Sequence, residues 1–195
     1  MRVLVIYCHP VDRSYNAALH ARVVDELRGN GHEVDDCDLY QEAFDPVMSS
    51  EERLGYHDLA HNQLPVAEHV ARLQRAQALV LVFPVWNFGP PAMLKGYFDR
   101  VLLPGVSFDM SDPQHIKPGL THLRHVVAVT TYGVVRWKAW WLGDGPRAMV
   151  KRFMRRLTDD RARIDYLACY GLNLADLGRR ERFLQQVGGA MQKIN

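Results

Sequence analysis

Apolar residues recur along this chain in two rhythms. Three short runs, RVLVIY (2–7), ALVLVFPV (78–85) and HVVAVTTYG (125–133), are almost continuously apolar and rich in β-branched residues. Such runs fit strands buried on both faces, as in a parallel sheet. EVDDCDL (33–39) and RIDYLACYGL (163–172) read as two more strands. Helical stretches lie between them. AALHARVVDELRGNG (17–31) sets Ala18, Val23, Val24 and Leu27 roughly on one side, with Gly29 and Gly31 as its stop. Further helices are predicted over 66–76, over AMLKGYFDRVL (92–102), over 146–157 and over 176–193. Pro90 and Pro91 precede the helix over 92–102, where a missing N–H costs nothing.

Five strands alternating with five helices predict an α/β domain, a doubly wound five-stranded parallel sheet with helices on both faces. No repeat, low-complexity tract or linker divides residues 1–195, so a single domain is expected. The polar segment 40–62 reads as a long connection, 104–119 as a loop rich in Pro, Gly, Asp and Ser, and 134–145 as a Trp-rich loop. Ligands of open sheets bind beyond the carboxyl ends of the strands, at the switch point. That rule selects the loops after Tyr7, Phe83 and Thr130.

Each of these loops carries candidate chemistry. HPVDRSYN (9–16) joins a strand to a helix N-terminus, where free N–H groups and the positive dipole end suit a phosphate. Ser14 and Asn16 add donors, and His9 and Arg13 add charge; an ordinary capped helix start explains the same residues. Neither GxGxxG nor GxxxxGK[ST] is present, so the dinucleotide fingerprint and the ATP-type loop are excluded. FPVWNFGPPAMLKG (83–96) sets Trp86 and Phe88 in a loop that ought to be polar, a stacking surface for a flat ring or else a cap on the core. In TTYGVVRWKAWWLGDG (130–145), Thr130, Thr131 and the N–H groups around Gly133 suit the polar edge of a ring. The spacing of Trp137, Trp140 and Trp141 fits a helical core stripe, the favoured reading for the last two.

Composition changes little. Hydrophobic residues make up 48% and charged residues 24%, ordinary for a globular chain, and the net charge of +2 is too mild to imply nucleic acid. Lys151, Arg152, Arg155 and Arg156 alternate with Val150, Phe153, Met154 and Leu157, as on the solvated face of an amphipathic helix. Cys8, Cys37 and Cys169 form no CxxC, which indicates neither a disulfide framework nor zinc and favours a reducing, cytoplasmic setting. No apolar run suits a signal peptide or a membrane span. His57 and His61 read as surface histidines without a third ligand, so no metal is expected. Cys8 reads as packing, and Asp99 and Arg100 as structural or dimer contacts.

These residues resemble the flavodoxin-like NAD(P)H dehydrogenase (quinone) family, which includes DT-diaphorase-type quinone reductases and the ancillary flavoproteins of potassium-efflux systems. The resemblance covers the first ~145 residues, through HPxxxSxN, the long and specific FPxxxFGxPAxLKGxFDRV, and TTxG. It implies that His9, Ser14, Tyr15 and Asn16 bind the flavin phosphate and ribityl region. Pro84, Val85, Trp86, Asn87 and Phe88 would run along the isoalloxazine, and Thr130, Thr131, Tyr132 and Gly133 would meet its polar edge. The substrate pocket would take Trp86, Phe88 and Trp137, with Phe108 reaching across a homodimer into the neighbour's site.

The implied reaction is ping-pong: hydride passes from NADH or NADPH to flavin N5, then to a quinone or similar small acceptor, and the cofactor carries the chemistry. Negative charge at the reduced ring would be met by Lys138, by Tyr132 or by backbone N–H groups at Gly133. Lys138 and Asp144 stand where the DT-diaphorase-type members place a Tyr and a His. The larger members also carry a longer C-terminal region that holds the adenine half of FAD, which leaves FMN and FAD both open. A regulatory flavoprotein bound to a membrane transporter is the alternative. A one-electron carrier of true flavodoxin type fits poorly with a slightly basic chain.

Overall fold

The computed structural model describes residues 1–112 and 115–195. Its sheet contains β1 (Arg2–Tyr7), β2 (Glu33–Asp38), β3 (Ala78–Val85), β6 (His125–Tyr132) and β7 (Arg163–Cys169), all parallel, in the order β2-β1-β3-β6-β7. All five expected strands form, and their ends fall within three residues of the predicted ones. A separate two-stranded antiparallel ladder, β4 (Phe108–Asp109) with β5 (Lys117–Pro118), lies in the segment expected to be loop, of which 113 and 114 fall outside the described residues.

The chain winds outward from β1 to β2, then returns to β3 on the other side. The switch point therefore lies between β1 and β3. Side chains alternate across each strand and fill two cores. On one face Leu4, Ile6, Leu79, Leu81 and Phe83 pack under α3 (Ala67–Arg75) and α4 (Ala92–Val101). On the other, Val3, Val5, Val80 and Val82 pack under α1 (Tyr15–Gly29) and α8 (Leu177–Met191). This double burial explains the unbroken apolar runs of the central strands. Edge strand β2 has one fully buried residue, Cys37, which explains its polar sequence.

The 40–62 connection is more ordered than a plain loop. It holds the short helix α2 (Ser50–Leu54), started by a capping box between Ser49 and Glu52. It crosses α4 at Gly96, where any Cβ would fall on the carbonyl oxygen of Pro46. Arg100 pins the crossing through Glu52, at 2.7 Å, and through the carbonyl of Asp45. The expected helix over 146–157 is α6 (Gly145–Ala148), a π-turn over Met149–Phe153 and α7 (Met154–Leu157). The Trp-rich loop contains a further helix, α5 (Arg136–Trp141).

Candidate functional site

Strand register brings the three loops together. Tyr7 pairs with Val82, and Cys8 N–H still donates to the Val82 carbonyl at 3.0 Å, so the first loop leaves the sheet beside Phe83. Pro84 lies opposite Thr131 and Val85 opposite Tyr132, so the second and third loops leave side by side. The three segments thus meet at the carboxyl edge, around the switch point.

In the first loop Ser14 caps α1, its Oγ accepting from Ala17 N–H at 3.1 Å. Among the described residues, the N–H groups of Tyr15 and Asn16 donate to no acceptor in the chain, which leaves two donors of the helix N-terminus free for an anion. His9 Nδ1 accepts from Val11 N–H at 3.0 Å, and burial pushes the histidine below its ordinary value, which keeps it neutral. Asn16 is buried and ties the first loop to the third: its Nδ2 donates to Thr131 Oγ1 at 2.9 Å, while its buried Oδ1 has no partner.

Trp86–Asn87–Phe88–Gly89 forms a two-residue hairpin. Trp86 and Gly89 exchange N–H···O bonds of 3.0 and 2.9 Å, and Asn87 and Phe88 have φ of 48° and 60°. Asn tolerates that region; a Phe there is strained. The hairpin holds Trp86 and Phe88 each 41% exposed, so neither caps the core. The His9 ring stands edge-on to Trp86, 5.7 Å between centroids.

In the third loop Thr130, Thr131 and Tyr132 are all buried and Gly133 is exposed. The Tyr132 hydroxyl is already committed. It donates to Asp144 Oδ1 at 2.5 Å and lies 2.5 Å from the Tyr166 hydroxyl, while Tyr170 donates to Asp144 Oδ2 at 2.9 Å. Burial first, then its charged and hydrogen-bonded neighbours, push Tyr132 far above the usual tyrosine value, so its proton stays on. Asp144, at φ 40°, is therefore a bridge between strands rather than a free base. Lys138 lies exposed on α5 with its ammonium 5.6 Å from the Trp137 centroid.

Trp140 and Trp141 are not a core stripe. They are 76% and 74% exposed and Trp137 is 64% exposed, because six-residue α5 lies past the sheet edge and buries Ala139 alone. Phe108 is not brought to the hairpin of its own chain. It lines a groove of about 570 Å³ with Tyr56, Phe98, Leu102 and Phe153. His57 is exposed, as is His61, which pairs with Asp58 at 2.8 Å. Cys37, Glu42 and His69 place ligand atoms within 4.8 Å of one another, but Arg72 holds both Glu42 oxygens at 2.8 Å.

Sequence reading missed Tyr166, Tyr170 and Arg180. The period of two along β7 sets 166, 168 and 170 on one face, a signal for the tyrosine pair. No sequence signal announces Arg180. Its carbonyl accepts from Tyr15 Oη at 2.7 Å and its guanidinium lies 6.0 Å from the Tyr15 ring, which adds positive charge beside the first loop.

Comparison with known proteins agrees with this geometry. The family described as having a flavodoxin-like fold matches residues 1–156. The ribosyldihydronicotinamide dehydrogenase [quinone] of Pongo abelii is 33% identical over 150 residues, covering 68% of this chain and 64% of that protein. The chain spans 54% to 64% of the length of the curated relatives it matches. Among solved structures, an NAD(P)H:quinone oxidoreductase from Methanothermobacter marburgensis superposes with TM-score 0.83 at 22% identity, covering 100% of this chain and 99% of that one. An FMN-dependent NADH-azoreductase from Bacillus anthracis, solved with FMN, gives 0.79 at 16% identity and covers 100% and 99%. With its sheet order, its carboxyl-edge loops and a family match over most of its length, the chain belongs to the flavodoxin-like family.

Proposed function

We propose that this protein is an NAD(P)H-dependent flavin oxidoreductase that passes two electrons to a quinone or a similar small acceptor. The observation that carries the reading is the aromatic hairpin at the switch point, beside a helix N-terminus with free donors. Ser14 and the N–H groups of Tyr15 and Asn16 would hold the flavin phosphate, with Arg180 and Arg13 adding charge. Trp86 and Phe88 would flank the ring, and Thr131 and Gly133 lie along its edge. A bound flavin supplies the electron transfer that no side chain here can perform. The chain's own part is to bind, orient and exclude water. Asn16 locks two of the loops together, and the Tyr132–Asp144 bridge holds the third.

The cavity on the β2 side of the first loop, about 320 Å³, is lined by Asp12, Asp36, Asp38 and Glu42. Arg72 engages Glu42 and His20 engages Asp36, while Asp12 and Asp38 oppose a second phosphate, which favours FMN over FAD. The FMN named in the Bacillus anthracis structure supports the same choice. Three buried, unbridged cysteines favour a reducing compartment, the cytoplasm. Phe108, which lines a groove with Tyr56 and Phe153, suits a homodimer with a shared site. The transporter-subunit alternative gains no support from relatives named for oxidoreduction.

Anaerobic mixing with NADH or NADPH tests the proposal. The purified holoprotein is expected to show flavin bands that bleach, and released cofactor is expected to run as FMN. A chain that stays colourless after incubation with either flavin rejects it.

A further inference from the structure

Three metal-ligating side chains meet under α3, none of them in the three ligand loops. Cys37 belongs to β2, Glu42 to the turn that follows it and His69 to α3, and their ligand atoms lie within 4.8 Å of one another. Cys37 Sγ is 3.5 Å from Glu42 Oε2 and 4.0 Å from His69 Nδ1. Around a tetrahedral zinc ion, with bonds of about 2.3 Å to sulfur and about 2.1 Å to nitrogen or oxygen, sulfur lies about 3.5 Å from each neighbouring ligand atom. One edge already has that length, and the other needs to close by about half an ångström.

Arg72 does not bar the site. Its Nη1 reaches both Glu42 oxygens at 2.8 Å, which uses one lone pair on each. A carboxylate offers about four, so Oε2, the oxygen next to the thiol, keeps one for a cation. Asp35 holds the guanidinium on its other edge, Nε at 2.9 Å and Nη2 at 2.6 Å. Arg72 is then the outer partner that orients a metal-bound carboxylate. Asp35 and Glu42 also set two negative charges against the one positive charge of Arg72. A dication bound with loss of the thiol proton to solvent brings the group to neutrality. Phe44 and Tyr97 stand perpendicular to the His69 ring, 4.9 and 5.6 Å between centroids, and fix its plane. Burial keeps that imidazole neutral, the form that binds a metal. Cys37, Phe44 and Tyr97 are buried. On the opposite side Glu42 lines the cavity that also holds Asp12 and Asp38, an acidic entry for a cation.

A thiolate, an imidazole and one carboxylate form a ligand set for zinc rather than for magnesium or calcium. The geometry points to Cys37, Glu42 and His69 as a zinc site that ties edge strand β2 and the start of the 40–62 connection to α3, with the fourth position left to water from the cavity. Zinc binding needs neither flavin nor turnover, so its test stands apart from that of the reductase reading. Holoprotein dialysed against a chelator is titrated with Zn2+ and, separately, with Cd2+. One Zn2+ per chain is expected to survive gel filtration and to raise the thermal unfolding midpoint, since it binds the folded chain alone. Cd2+ is expected to give the ultraviolet charge-transfer band of a metal thiolate. Cys37→Ala is expected to abolish that band, and Cys169→Ala to leave it unchanged. His69→Gln, at a half-buried position, is expected to weaken zinc at least about tenfold, no less than the loss of an outer partner costs; it carries the test by itself if Cys37→Ala does not fold. A chain that retains no zinc overturns the inference, as does zinc held equally well by His69→Gln, or a band that survives in Cys37→Ala.

Discussion

Phe88 holds a backbone conformation that an L-residue with a large side chain occupies at a cost of about 1 kcal/mol. Strain of this kind collects at functional sites. Phe88→Gly is expected to raise stability by only a few tenths of a kcal/mol in urea unfolding, since relief of the left-handed strain is largely offset by the freer unfolded chain and by the buried part of the ring. The same variant is expected to bind flavin about tenfold more weakly, the worth of one aromatic stacking contact. Weaker binding without added stability would remove strain from the account. Tyr132→Phe acts in the opposite sense. It deletes a hydrogen bond to a carboxylate, with an expected loss of about 2 kcal/mol, read as a lower urea midpoint at unchanged slope. Lys138, exposed and, among the described residues, free of ion pairs, is expected to tolerate alanine with flavin reduction by NADH changed less than twofold. A drop of ~100-fold in stopped flow would restore it as the cation at the ring.

At the scale of elements, the glycine inside the LKGYFD helix segment has a packing reason. Gly96 lets the 40–62 connection cross α4 in van der Waals contact with Pro46. Gly96→Ala gains helix propensity in isolation, ~1 kcal/mol. In the fold it drives a methyl group into backbone and is expected to cost a net 1–3 kcal/mol or more, measured by thermal unfolding. A neutral outcome would mean that the connection shifts freely. The helices and strands were legible because burial on two sheet faces leaves a strong apolar pattern. α5 and α2 were not, because short helices past the sheet edge bury too little to impose a period.

At the scale of the whole molecule, burial of titratable groups sets a pH window. His9 and His69 are both pushed below the ordinary histidine value of 6.5, mainly by burial. A depressed group contributes stability above its unfolded pKa and loses it as pH falls through the folded one. Cys8 is pushed up to about 12 and Cys37 higher still, again mainly by burial. A raised thiol contributes below its unfolded value of 9.0 and loses that contribution as pH climbs toward the folded one. Stability is therefore expected to be greatest between about pH 7 and 8.5, falling on both sides. A urea midpoint that stayed flat from pH 5 to 7 would contradict the histidine part.

The order of strands and helices, the parallel sheet and the three ligand loops follow from the sequence alone, because each rests on local periodicity or on where a strand must end. The roles inside those loops do not. Only the tertiary structure turned Tyr132 toward Asp144, Tyr166 and Tyr170, set Arg180 beside Tyr15, and tied Asn16 to Thr131, a pair 115 positions apart. It also left Trp140 and Trp141 outside the core, since a helical spacing marks one face but does not say whether anything lies against it. Contacts between residues distant in sequence depend on how layers pack, and no local period records that.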